Sequence, residues 1–176
     1  MAADSLLQGL APVIREDCRV LVLGSMPGAA SLSQQRYYAH PRNRFWPLMA
    51  EMCGFDAALP YEDRLLALQA AQVGLWDVIG ACEREGSLDA AIIPGSEVAN
   101  PIHEYVCKLP ILRAVALNGG KAAQAFERYV RPRLPLEIRD GLILLRLPST
   151  SPANASFNVA RLQQEWGKLG DVLRAP

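Results

Sequence analysis

The sequence predicts an α/β fold: a three-layer α/β/α single domain spanning residues 1–176, with a central four-stranded, mostly parallel sheet. Three observations carry this. Short apolar runs alternate with helical patterns along the chain. Each run is nearly continuous in Val, Leu, Ile and Ala, as in strands buried on both faces. No composition break or internal repeat divides the chain.

Residues 1–17 read as an amphipathic lead-in carrying Leu6, Leu7 and Leu10. Residues 19–23 form the first strand, which stops at Gly24. A long Gly, Pro, Ser and Tyr segment follows; loops of that length in compact domains are usually functional or disordered, and its aromatics and arginines argue against disorder. Phe45, Trp46, Met49 and Met52 or Cys53 recur at helical spacing, which predicts a short helix over 45–53. A second helix over 62–73 carries Leu65, Leu66, Leu68 and no breaker, and Gly74 is read as its C-cap. The second strand is then 75–79, and residues 87–93 fit neither pattern. Asn100 and Pro101 suit the N-cap and first position of a helix whose face runs over 102–109.

The third strand is expected at 111–117, with a helix over 121–130 behind it. Pro132 and Pro135 break the chain into an extended connection. The fourth strand is 142–147, and a final helix over 158–173 places Val159, Leu162, Trp166, Leu169 and Leu173 on one sheet-facing side.

Composition narrows the function classes. Apolar residues make up 51% of the 176, enough for a full core, yet no run is long enough to span a membrane. The beginning of the chain lacks the basic and apolar regions of a secretion signal, so a cytoplasmic protein is expected. Formal net charge is zero, which by itself predicts no polyanion partner. All basic residues except Lys108, Lys121 and Lys168 are arginines, the side chain better suited to bidentate phosphate contacts and stacking. Arg36, Arg42 and Arg44 lie in the loop after the first strand; Arg128, Arg131, Arg133 and Arg139 form a second group that reads equally well as solvated surface. Cys18, Cys53, Cys82 and Cys107 occur singly, as buried thiols of a cytosolic protein would, and neither His40 nor His103 has a carboxylate at ligand spacing. No metal and no cofactor is expected.

In parallel α/β folds ligands bind beyond the carboxyl ends of the strands. That rule selects G-S-M-P-G at 24–28, Trp76-Asp77, residues 117–120, and Leu147 through Ser151 as the walls of one cleft. The cleft offers no Ser-His-Asp set, no Cys beside a His and no phosphate loop. It offers the amides Asn43 and Asn118, the carboxyl of Asp77, the aromatics Tyr37 and Tyr38, and arginines. Aromatic faces with amides suit a flat heterocycle, stacked on one side and hydrogen-bonded along its edge. The Pro-Ser-Thr-Ser-Pro loop adds hydroxyls and backbone N–H groups suited to a phosphodiester.

Gly24-Ser25-Met26-Pro27-Gly28, followed by Tyr38-Ala39-His40-Pro41-Arg42-Asn43-Arg44-Phe45-Trp46, resembles the first motif of the uracil-DNA glycosylase superfamily, especially its mismatch-specific uracil/thymine branch. Leu147-Pro148-Ser149-Thr150-Ser151-Pro152 is similar to the second motif. The chain departs from the uracil enzymes at Met26, where they carry Asp or Asn, and at Leu147, where the uracil-specific branch has His. With W-D-V at 76–78 and N-G-G-K-A at 118–122, the pattern is similar to the hypoxanthine-DNA glycosylase branch, whose essential Asn lies in the H-P-x-N-x-F-W segment and falls here on Asn43.

That resemblance implies a monofunctional, monomeric DNA glycosylase that hydrolyses the N-glycosidic bond of deoxyinosine in a duplex and holds the nucleotide flipped out. It implies Asn43 as the catalytic group, against the alternative of a structural amide tying the loop. Asp77 is a second catalytic candidate, read as a general base, a partner for N1–H of hypoxanthine, or a turn cap. Ser25, Met26, Tyr38 and Asn118 are expected to bind the base, Tyr38 on its face and Asn118 on its edge. Ser149, Thr150, Ser151 and Arg42 are expected on the DNA backbone, with an ordinary Pro-Ser turn as the plainer reading of the serines. The rival functions are a mismatch uracil/thymine glycosylase and a non-catalytic module that binds damaged DNA.

Overall fold

The computed structural model describes residues 6–155 and 158–176, so only the part of the 1–17 lead-in from Leu6 onward is covered. The first half of the chain runs β1 (Leu6–Gln8), β2 (Val20–Gly24), α1 (Ala29–Gln34), α2 (Phe45–Cys53), α3 (Tyr61–Ala70), β3 (Val73–Asp77) and β4 (Ile79–Glu83). The second half runs β5 (Val98–Ala99), α4 (Ile102–Val106), β6 (Ala114–Asn118), α5 (Gly120–Ala125), α6 (Leu136–Gly141), β7 (Ile143–Leu147) and α7 (Val159–Arg174).

Four parallel strands in the order β3-β2-β6-β7 form the central sheet. Gly24 pairs with Asp77, Leu23 with Leu117 and Asn118 with Leu147, so the four carboxyl ends are level. The chain leaves β2 toward β3 on one side and later returns to β6 on the other; the crevice opens at that reversal.

Alternation along the strands divides the core in two. Val20, Val22, Leu75 and Ala116 face α2, α3 and α7, where Phe45, Met49, Leu68, Leu162 and Trp166 fill the layer. Leu21, Leu23, Val115 and Leu117 face the opposite layer, built from Ile102, Val106, Ala123, Phe126 and Val130. At about 25 cal/mol per Å² of apolar surface, these two faces supply the main driving force for folding.

Several boundaries differ from the sequence expectation, each for a physical reason. The helix expected over 62–73 ends at Ala70, and Gln72, not Gly74, takes the left-handed conformation at φ 67°. Gly74 lies within β3 because a Cβ there would press on Cys18 Sγ at 3.0 Å and on Ile14 and Leu21 at 3.3 Å. The second strand is therefore Val73–Asp77, and the third begins at Ala114. Ile79–Glu83 belongs to a separate antiparallel sheet, β1-β4-β5, which the sequence did not suggest. The 29–34 helix was likewise unexpected.

Pro135 starts helix α6 and does not leave an extended connection, as proline is tolerated before the first turn. Asn100 is not the cap of α4; its side chain donates to the Asp77 carbonyl at 2.8 Å. Asn158 does cap α7 by accepting from Arg161 N at 2.9 Å, but Val159 points to solvent at 55% exposure. Cys18 and Cys82 are buried, Cys53 is half-buried and Cys107 is exposed.

Candidate active site

Each of the three tryptophans donates its indole N–H to a loop carbonyl, and two of these bonds fix site loops. Trp166 on α7 holds the Pro148 carbonyl at 2.9 Å, and Trp46 on α2 holds that of Tyr37 at 2.9 Å. Trp76 does the same for Leu10 at 3.2 Å. The helices that bury the sheet thus also position its carboxyl-end loops.

Those loops enclose a cavity of about 840 Å³. Its lining includes Gly24, Ser25, Met26, Tyr38, Arg42, Asn43, Asp77, Asn118 and Ser149 through Ser151. Every site residue selected from the sequence is therefore at one opening, and a second group joins them from the unassigned 87–93 segment: Ser87, Leu88 and Asp89.

Asn43 stands just ahead of α2. Its Oδ1 accepts from Phe45 N at 2.9 Å and its own N–H donates to the His40 carbonyl at 2.9 Å, so the amide does tie the loop together. The Phe45 bond orients the carboxamide, leaving the Nδ2 donors and a second Oδ1 lone pair for other partners. Tyr38 is held at φ 54°, a conformation uncommon for a non-glycine residue, with its ring stacked on Phe45 at 3.9 Å between centroids. Tyr37 points away into the core and donates to the Ala11 carbonyl at 2.6 Å.

At the floor, Asp77 is only 5% exposed, and its Oδ2 has no hydrogen-bond partner among the described residues. Burial, then the negative charge of Asp89, raise its pKa to about 7, while Arg84 opposes them. The Tyr38 hydroxyl is equally enclosed, faces the Asn118 carboxamide without an aligned bond, and has its pKa raised by burial and by Asp77. A Cβ on Gly24 would collide with Asp77 Oδ1, which accounts for the glycine.

Several expected ligand contacts are already engaged. Asn118 Oδ1 accepts from Thr150 N at 3.0 Å and its Nδ2 donates to Thr150 Oγ1 at 3.0 Å. Thr150 is 1% exposed, so of the three hydroxyl residues Ser149 and Ser151 are the ones at the surface of the loop. Ser25 Oγ donates to Asp89 Oδ1 at 2.6 Å. Met26 and Leu147 are buried among apolar neighbours, consistent with their lack of chemistry. Arg42 is exposed at the rim, its N–H donating to His40 Nδ1 at 3.1 Å.

Of the residues the sequence missed, Ser87, Leu88 and Asp89 line the cavity, while Arg84 and Glu97 lie outside its lining. Arg84, itself buried, donates to the carbonyls of Gly86 at 3.0 Å and Pro27 at 2.6 Å. Ser87 Oγ accepts from Ala29 N at 2.9 Å. Glu97 receives Lys121 and Tyr129, each at 2.7 Å; burial disfavours its ionisation, but these bonds outweigh burial and lower its pKa. Among the described residues no group of His, Cys, Asp or Glu is arranged to hold a metal, and no helix is long and apolar enough to cross a membrane.

The comparisons agree with this architecture. A solution NMR structure of a uracil DNA glycosylase candidate from Methanosarcina acetivorans superposes with a TM-score of 0.79 at 33% identity, covering 97% of this chain and 99% of that one. A protein named hypoxanthine DNA glycosylase from the same organism is 36% identical over 160 residues, 90% of this chain and 94% of the relative. Another of that name, from Methanosarcina barkeri strain Fusaro, is 40% identical over 118 residues, 66% of this chain and 73% of the relative. With the model of the uracil DNA glycosylase superfamily matching residues 11–169, from before β2, the first strand of the central sheet, into α7, the chain belongs to that superfamily.

Proposed function

We propose that this protein is a single-domain, monofunctional DNA glycosylase that removes hypoxanthine from deoxyinosine in DNA and leaves an abasic site. The observation that carries the reading is the convergence of Asn43, Asp77 and Tyr38 with the Ser149–Ser151 loop on one cavity at the strand ends. The names of the two curated relatives supply the base.

In this reading a flipped nucleotide enters the cavity with its base against Tyr38, a stacking contact worth roughly 1–3 kcal/mol. The C1′–N9 bond breaks, its electron pair going to the base, and water adds to C1′ as the sugar passes through an oxocarbenium-like state, the proton it gives up ending on the departed base. Asn43, oriented by Phe45 N, either donates through Nδ2 to the departing base or accepts from the water through its free lone pair. Asp77 and Asn118 border the base, with Asn118 acting mainly through its hold on Thr150. Ser149, Ser151 and Arg42 meet the phosphates, which lets an electrically neutral chain bind DNA through a local face. The protein works as a monomer on DNA, and its unpaired cysteines suit the reducing cytoplasm.

Incubation with a duplex holding one deoxyinosine, followed by alkali, is expected to cleave at that position. Absence of cleavage with enzyme in excess would overturn the reading. Parallel G·U and G·T duplexes decide between this function and mismatch uracil/thymine excision. Salt-sensitive binding without abasic sites on any of these substrates would leave a non-catalytic module.

A further inference from the structure

A carboxyl group that is 95% removed from solvent needs either a cation or hydrogen-bond donors to stay charged. Asp77, 5% exposed, has neither in full measure. Arg84 is the cation acting on it, but its Nε and Nη2 donate to the Gly86 and Pro27 carbonyls, and its Nη1 has no partner among the described residues and makes no bond to the carboxyl. Asn100 donates to the Asp77 backbone carbonyl and not to the carboxyl. Oδ2 is left without a donor among the described residues, while Asp89 brings a second carboxyl group to the same cavity.

We propose that Asp77, held uncharged first by its burial, donates a hydrogen bond as a carboxylic acid to an oxo or ring-nitrogen acceptor of the flipped base, and that Asp89, fixed on Ser25, is a positioning residue whose charge adds to the effect of burial. This deepens the function proposed above and rests on it for the identity of the base. It decides between the roles open to Asp77, because a protonated acid cannot be a general base.

Of the groups on each packed element, Arg84 alone opposes the uncharged form. Tyr37 and Tyr38, from the loop before α2, are neutral; burial raises both hydroxyls, and the Asp77 charge raises them further. Asn118, at the end of β6, is an amide. Asp89, from the turn after β4, raises Asp77, and Arg84, just beyond β4, lowers it. Asp89 is exposed; partial desolvation of its carboxyl raises its own pKa, while the Ser25 hydrogen bond, Arg84 and Lys121 favour its charged form.

Two measurements test this. Single-turnover excision of deoxyinosine is followed against pH for the wild type and for Asp77→Asn, Asp77→Ala and Asp89→Asn, each checked for folding by circular dichroism. The wild-type rate should fall about tenfold per pH unit above neutrality. Asp77→Asn, which keeps a donor, should stay within about tenfold of the wild type and lose that alkaline limb, whereas Asp77→Ala should lose on the order of 10²-fold. Asp89→Asn keeps an acceptor for Ser25 but not the charge, so the limb should move down by about one pH unit.

A wild-type rate that rises with pH through neutrality, or Asp77→Asn as inactive as Asp77→Ala, would overturn the proposal. So would a limb that survives in Asp77→Asn or stays put in Asp89→Asn. Carbon-13 NMR titration of the Asp77 carboxyl in the DNA-free protein reads protonation without any substrate. A step near neutrality supports the proposal even if deoxyinosine is not cleaved, and a carboxylate already ionised at pH 5 overturns it even if deoxyinosine is.

Discussion

Asn118 and Thr150 hold each other reciprocally: the Thr150 N–H donates to Asn118 Oδ1 and the Asn118 Nδ2 donates to Thr150 Oγ1, both at 3.0 Å and both buried. The pair joins the end of β6 to the loop after β7. Asn118→Ala should therefore cost about 1–3 kcal/mol, the penalty for leaving the Thr150 groups unpaired in the interior. Thr150→Val should cost less. A double-mutant cycle in urea should show the two changes to be strongly coupled.

Asn43 combines a structural bond with a candidate chemical role, and the two can be separated. Asn43→Asp keeps an oxygen for Phe45 N but loses the Nδ2 donors. It should melt close to the wild type while excision falls on the order of 10²–10³-fold. Asn43→Ala should lose the same activity and about 1 kcal/mol of stability as well. Single-turnover rates set beside thermal melts distinguish the two.

Gly24→Ala introduces a methyl that would collide with Asp77 Oδ1. Excision should drop at least as far as in Asp77→Ala, with a stability loss of about 1–3 kcal/mol from overpacking. Full activity in this variant would mean that the Asp77 carboxyl can move aside freely.

Asp77 also makes stability depend on pH. Its folded pKa, raised by burial to about 7, lies above the unfolded value, so between the two the folded state binds more protons and stability falls as pH rises. The loss is complete above neutrality, and from the shift it is on the order of 4 kcal/mol at most. Asp77→Asn should melt higher than the wild type at pH 8 and show a smaller advantage at pH 5.

Arg42, exposed at the rim, should affect binding more than chemistry. Arg42→Ala should weaken affinity for abasic-site DNA and reduce the slope of log K against log salt by about 0.9, the value for one phosphate contact.

The elements legible in the sequence are those whose burial is two-sided or strictly periodic. The runs V-L-V-L-G and A-V-A-L-N became buried strands, and 45–53 was a helix to the residue because Phe45, Trp46 and Met49 all face the core. The β1-β4-β5 sheet was not legible. Its strands are short, and its register, Leu6 opposite Glu83, depends on contacts across most of the first half of the chain. Gly74 misled for the opposite reason: its lack of a side chain serves close packing, not a turn. In the site, the strand-end rule located Asp77 and Asn118, but nothing local marked Asp89, which meets Ser25 from 64 positions away.

The level ends of the four parallel strands have a kinetic consequence. Parallel pairings join distant segments, so they form slowly and late compared with local helices. Asn43, Asp77, Asn118 and Ser149 come from four such segments, and no stretch of the chain emerging from the ribosome contains more than part of the pocket. A partly folded molecule therefore lacks the assembled pocket. Recovery of excision during refolding should coincide with the slowest structural phase, lagging behind helix signal.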